Sequence, residues 1–96
     1  MSVFYHQIIT NVSGLMTTVS NMLRSMAYII YQIIGERIRT NRKQQCLTQE
    51  VLADKAGIDR SHMGFIEQGR RHPTVTTLQK IADALGISLE ELFRGL

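Results

Sequence analysis

Within residues 47–69, LTQEVLADKAGIDRSHMGFIEQG, one helix stops and another starts almost at once. Thr48 is suited to open a helix, because its hydroxyl can accept from a free N–H of the first turn. Leu52, Ala53 and Ala56 then recur at helical spacing. Gly57 closes that helix, since glycine takes the left-handed C′ conformation at little cost. Asp59 is placed to cap the next helix, with Met63 and Ile66 inward, and Gly69 ends it. Only Gly57 and Ile58 lie between Ala56 and Asp59. So short a connection makes the two helices cross steeply and leaves the outer face of the second one projecting. On that face Arg60, Ser61, Gly64, Phe65 and Gln68 gather by helical geometry.

The rest of residues 34–96 reads the same way. Ile34 and Ile38 share a face of a helix over about 34–45. Pro73 and Thr74 open a helix with Leu78, Ile81, Ala82 and Leu85 inward and Gly86 as its stop. Ser88 to Glu91, SLEE, is a capping box that opens a last short helix carrying Leu89, Leu92 and Phe93. With one Pro and no tight turn between alternating runs, strands are not expected. The reading is an all-α domain of five short helices.

Charge is uneven along the chain. Residues 1–35 hold one charged residue, Arg24. Residues 37–71 hold eight basic side chains (Arg37, Arg39, Arg42, Lys43, Lys55, Arg60, Arg70, Arg71) against four acidic ones (Glu50, Asp54, Asp59, Glu67). An anionic partner is therefore expected at the middle of the chain, unless these are simply solvated charges. Double-stranded DNA fits the projecting helix. The major groove admits a helix, and the Arg60 fork matches guanine O6 and N7. Ser61 suits a base or a phosphate, Phe65 suits a thymine methyl, and Gly64 leaves room for close approach. Helix N-termini offer free N–H groups to phosphates. Gln49, Arg70 and Arg71 flank the surface.

The stretch from Ile34 to Phe93 resembles the helix-turn-helix domain of phage repressor and Cro-type regulators, the XRE family. The likeness rests on LTQ at 47–49, LADKAGI at 52–58, IEQG at 66–69, Pro73, IADALGIS ending at Ser88, and ELF at 91–93. DRSHMGFIEQGRRHP, residues 59–73, is also similar to small controller proteins of restriction–modification systems. The resemblance implies a lambda-repressor-like five-helix domain over residues 34–96, with the third helix in the major groove. It places Gln49 on a phosphate, Arg60, Ser61 and Phe65 on bases, and Arg70 and Arg71 on the backbone or minor groove. It makes Arg42 and Glu67 a structural salt bridge. Three positions depart from the pattern: Cys46 stands where the turn glycine is usual, Val51 where a capping glutamate is common, and Asn41 where an apolar residue is usual.

Against this stand simpler or rival assignments. His62 is expected at a phosphate or merely on the helix surface, and His72 in a loop. His6, His62 and His72 have no ligand spacing, so no metal or cofactor is expected. Carboxylates are scattered and no nucleophile–base set stands out, so no catalytic residue is expected. The single Cys46 fits a reducing cytoplasm, and neither a signal peptide nor a membrane span is evident. The alternative is a protein-interaction module, an antitoxin or adaptor that docks a protein on the same face, motivated by Phe65 and by the uncharged N-terminal seam.

Residues 1–33 form an N-terminal extension. Ile8, Val12, Leu15, Val19, Met22, Met26, Ile29 and Ile33 follow steps of 4 and 3 in alternation, a heptad seam. A helix is expected from about Leu15, used for dimerisation or packing; the alternative is that translation begins at Met26. The chain is thus expected to be a bacterial or phage repressor or autoregulator, a homodimer on a palindromic operator. Leu89, Leu92, Phe93 and Leu96 are candidates for its dimer face.

Overall fold

The computed structural model describes the backbone of residues 2–96 and the side chains of residue 14 and residues 17–96. Five helices follow in order: α1 Ser2–Gln44, α2 Gln49–Ala56, α3 Arg60–Glu67, α4 Val75–Leu85 and α5 Leu89–Phe93. No strand occurs among the described residues.

The caps are set by local chemistry. Thr48, Thr74 and Ser88 each accept from the N–H three residues on, so the starts of α2, α4 and α5 are satisfied by side chains. Gly57 and Gly86 take left-handed conformations, and each returns its N–H to the preceding turn. Asp59 differs from expectation. It has the backbone of a cap, but its side chain makes no capping bond to the first turn of α3.

Helices of eight residues are too short to persist in isolation, so tertiary burial holds them. Leu78, Ile81, Ala82 and Leu85 of α4 form the centre of the core. Around them lie Ile34 and Ile38 of α1, Leu52 of α2, Met63 and Ile66 of α3, and Leu92 of α5. Each large side chain buried there contributes about 1.5–3 kcal/mol.

The main departure from the sequence reading is α1. A helix from about Leu15 and a second from Ile34 are a single helix of 43 residues. At 1.5 Å per residue that is about 65 Å, and the molecule's longest dimension is 66 Å. Gly35 does not break it, because helix hydrogen bonds are local and its missing side chain answers a packing need. A Cβ there would meet the Ile66 carbonyl oxygen and lie 2.6 Å from that of Glu67. The burial of α1 changes face along its length. Ile34, Ile38 and Arg42 are buried, whereas Val19, Met22, Met26 and Ile29 are each about half exposed. The side chains of Ile8, Val12 and Leu15 lie outside the described residues. Among the described residues no helix is long and apolar enough to cross a membrane.

Polar groups of α1 and of the turn after it also complete the ends of other helices. Arg37 Nη1 of α1 donates to the Leu92 carbonyl at 3.0 Å, and Gln45 Nε2 of the turn donates to the Leu85 carbonyl at 2.7 Å. Asn41 sits at the half-buried rim and donates to the Arg37 carbonyl of its own helix at 2.8 Å, which is how an amide is accommodated there. Cys46, in the turn after α1, has φ 58°.

Candidate nucleic-acid interface

α3 buries Met63, Ile66 and Glu67 and presents its other side. Arg60 and Ser61 are exposed at its start, beside its free N–H groups. His62, Gly64 and Phe65 are half-buried, and Gln68 is exposed at its end. A Cβ on Gly64 would sit 3.6 Å from Gln49 Oε1, an ordinary contact distance, so the Gln49 side chain of α2 lies alongside α3 at this point.

Beneath this face lies a buried ionic knot. Arg42 Nε donates to Glu67 Oε2 at 2.8 Å and Nη2 to Oε1 at 3.0 Å. The third arm, Arg42 Nη1, donates to the Leu47 carbonyl at 2.8 Å. Gln49 Nε2 donates to Glu67 Oε1 at 3.1 Å. Every buried side-chain polar atom among the described residues is satisfied. The geometry ties α1, the start of α2 and the end of α3 together, and it holds Gln49 at the edge of the face. Glu67 therefore has a structural place, with its side chain 2% exposed.

Arg70 and Arg71 follow α3 in an exposed loop. Both guanidiniums lie over the Phe65 ring, at 5.0 and 5.4 Å from its centroid. The ring's negative face attracts them, and its flat surface restrains two otherwise free cations. Arg70 Nη1 also reaches Gln68 Oε1 at 3.4 Å. The loop is pinned further on, where His72 stacks on Tyr31 of α1, ring centroids 4.2 Å apart and 8° from parallel. Gly69 packs against the same stretch of α1, since a Cβ there would lie 2.8 Å from Gln32 Cγ.

The structure thus sets Gln49 beside Gly64 of α3 and gathers Phe65, Gln68, Arg70 and Arg71 at the end of that helix, with Arg60 and Ser61 exposed at its start. Among the described residues, His62 is half-buried on α3 with no hydrogen bond or ring contact to this group. It separates off one candidate for a dimer face. Leu92 is 0% exposed, fills the chain's own core and has no surface to offer a partner. Leu89 and Phe93 are half-buried against that core, and Leu96 is exposed. Two contributors were not marked out in the sequence. Tyr31 acts on the loop across 41 residues of chain, a pairing with no local signal. Arg39 lines a polar groove of about 380 Å³ with Gln32, Glu36, Gln49 and Gln68, above the Arg42–Glu67 pair. In the sequence it is one basic residue among many on a helix. Among the described residues no three His, Cys, Asp or Glu side chains gather as a metal site would require.

Two short helices joined by a three-residue turn, Gly57 to Asp59, the second presenting a polar and basic face, define a helix-turn-helix DNA-binding domain. The helix-turn-helix family HTH_3 matches residues 38–92, and the chain belongs to it. The chain is 42% identical over 59 residues to the immunity repressor protein of Bacillus phage phi105; the match covers 62% of this chain and 41% of that repressor. It is 46% identical over 61 residues to the uncharacterized HTH-type transcriptional regulator YazB of Bacillus subtilis strain 168, covering 64% of this chain and 88% of YazB. Among solved structures it is similar to the restriction–modification controller protein C.AhdI of Aeromonas hydrophila. There the TM-score is 0.64 at 40% identity, over 66% of this chain and 96% of C.AhdI. These relatives are named as a repressor, a transcriptional regulator and a controller protein, and the phage repressor is more than twice as long as the part of it that this chain matches.

Proposed function

We propose that the protein binds a palindromic operator as a homodimer, in the cytoplasm, and represses or autoregulates a promoter. Each protomer lays α3 in a major groove, with the two helices about 34 Å apart on one face of the DNA. Arg60 reads a guanine edge, and Ser61 contacts the same base step or its phosphate. Gln49 binds a phosphate at the start of α2, and Arg70 and Arg71 grip the backbone beyond the end of α3. His62 stands beside the phosphates.

The observation that carries this reading is the stacking of Arg70 and Arg71 over Phe65, next to exposed Arg60 and Ser61. A protein-docking face built on Phe65 would leave the ring bare for an apolar partner. Here two guanidiniums cover it, which favours an anionic partner over an antitoxin-like protein contact.

The test is fluorescence anisotropy with DNA from upstream of the protein's own gene and with a scrambled duplex, at two salt concentrations. Preference for the native duplex, lost in Arg60→Ala at a cost of about 1–3 kcal/mol, is the expected result. Equal, weak binding to both duplexes that Arg60→Ala leaves unchanged would refute the reading.

A further inference from the structure

The exposed half of α1 carries a stripe of apolar side chains. Val19, Met22, Met26 and Ile29 are 47%, 58%, 51% and 55% exposed, in a chain whose other large apolar side chains are mostly buried. Leu23, beside them, is 58% exposed. By heptad register Val19 and Met26 are a positions and Met22 and Ile29 are d positions, and the sequence continues the seam from Ile8 to Ile33. The period identifies the class of occupant. A 3.5-residue repeat on a long helix is matched by another helix with the same repeat, whereas a flat apolar surface needs no such register.

Charge decides between the remaining occupants. The e positions Ile9, Met16 and Leu23 are apolar, the next one, Ile30, already packs against the chain's own core, and the g positions Asn11, Thr18, Ser25 and Gln32 are uncharged. Two copies of this helix therefore meet without like-charge repulsion. Arg24, the one charge before residue 36, falls at f, directly away from the seam. A helix lying on an anionic membrane needs basic residues flanking its apolar face, and this one has none. The seam ends where the domain begins. After Ile33 the next d and a positions are Glu36 and Thr40, and burial passes to Ile34 and Ile38, which face the chain's own core.

We propose that residues 8–33 of two chains form a parallel, in-register, two-stranded coiled coil that is the protein's principal dimer contact. The pairing itself follows from the seam. The parallel sense rests on the operator reading above, because it brings both α3 helices to one end of the stem. An antiparallel stem would set the two ends of the seam, residues 33 and 33 of the partner, about 38 Å apart along its axis. The β-branched a positions Val12, Val19 and Ile33 suit two strands.

The test is disulfide trapping in the full-length chain, with Cys46→Ser as background. Ile29→Cys is at a d position, where a parallel pair brings the two Cα atoms within disulfide reach, about 4.4–6.8 Å. In an antiparallel pair the same residues lie about 25 Å apart. Arg24→Cys, at f, is the control. The expected result is a dimer by light scattering, near-complete cross-linking through position 29 and little through position 24. Separately, Ile29→Glu gives a monomer whose affinity for the two-half-site duplex falls at least tenfold. A dimer that does not cross-link at 29, or that survives Ile29→Glu, overturns the proposal. So does a monomer that instead sediments with phosphatidylglycerol vesicles. If position 29 cross-links but the wild type shows no preference among duplexes, the coiled coil stands and the operator reading falls.

Discussion

Replacing Glu67 by glutamine removes one charge and almost no volume, so it isolates the buried ionic knot from packing. Glu67 accepts from Arg42 Nε, Arg42 Nη2 and Gln49 Nε2. A glutamine keeps one oxygen. If that oxygen takes the Oε1 place, it holds Arg42 Nη2 and Gln49, and its NH2 group then faces Arg42 Nε, donor against donor. The flipped amide is worse, with its NH2 facing two donors. The better rotamer still loses one charge-assisted hydrogen bond, about 1.5–3 kcal/mol. It also leaves a guanidinium in a largely buried site with no counter-charge, for which the loss of one partner costs about 3–5 kcal/mol in all. A domain of this size loses about 4–8 °C in Tm per kcal/mol, so thermal unfolding followed by circular dichroism should drop by at least about 12 °C. Arg42→Met combined with Glu67→Leu, which removes both charges, should recover much of the loss. A fall of only 2–3 °C in Glu67→Gln, or a double variant no better than the single one, would show that the pair is not the tie between α1, α2 and α3 inferred above.

Two alanine substitutions on α1 should have opposite signs. Gly14→Ala meets nothing within 4 Å and should stabilise by about 0.5–1 kcal/mol, whereas Gly35→Ala forces α1 off the Glu67 carbonyl and should destabilise by about 1–3 kcal/mol; chemical denaturation distinguishes them, and a stabilising Gly35→Ala would mean the close approach is not maintained. Cys46→Gly relieves a left-handed conformation costing about 1–2 kcal/mol, partly offset by greater freedom in the unfolded chain, so a small rise in Tm is expected and a fall would mean that φ 58° carries no strain. Arg70→Ala and Arg71→Ala should each weaken binding to all duplexes about equally and lower the slope of log affinity against log salt by about one; a change in sequence preference would assign them to bases instead.

Local signals carried much of the fold in advance. Thr48, Thr74 and Ser88 as caps and Gly57 and Gly86 as stops are chemistry among residues within one turn of each other, so they can be read without knowing what packs where. The inward apolar residues of α2 to α4 follow from helical period alone. The sequence reading divides α1 for the corresponding reason. Glycine at 35 lowers helix propensity where the two expected helices meet, whereas its role is a contact with the end of α3 that no window on the sequence contains.

The candidate site divides along the same line. The projecting face of α3 follows from a short turn and a periodicity, and the sequence by itself determined that Arg60 and Ser61 would share it. Only the tertiary structure decided that Phe65 lies under two guanidiniums and that Gln49 is held by Glu67. It also decided that Leu92 belongs to the core and that Tyr31 anchors the loop through His72. Each of these joins side chains from different segments, with positions set by the crossing angles of whole helices. Periodicity says which face a residue is on. What that face meets is decided only when the helices pack.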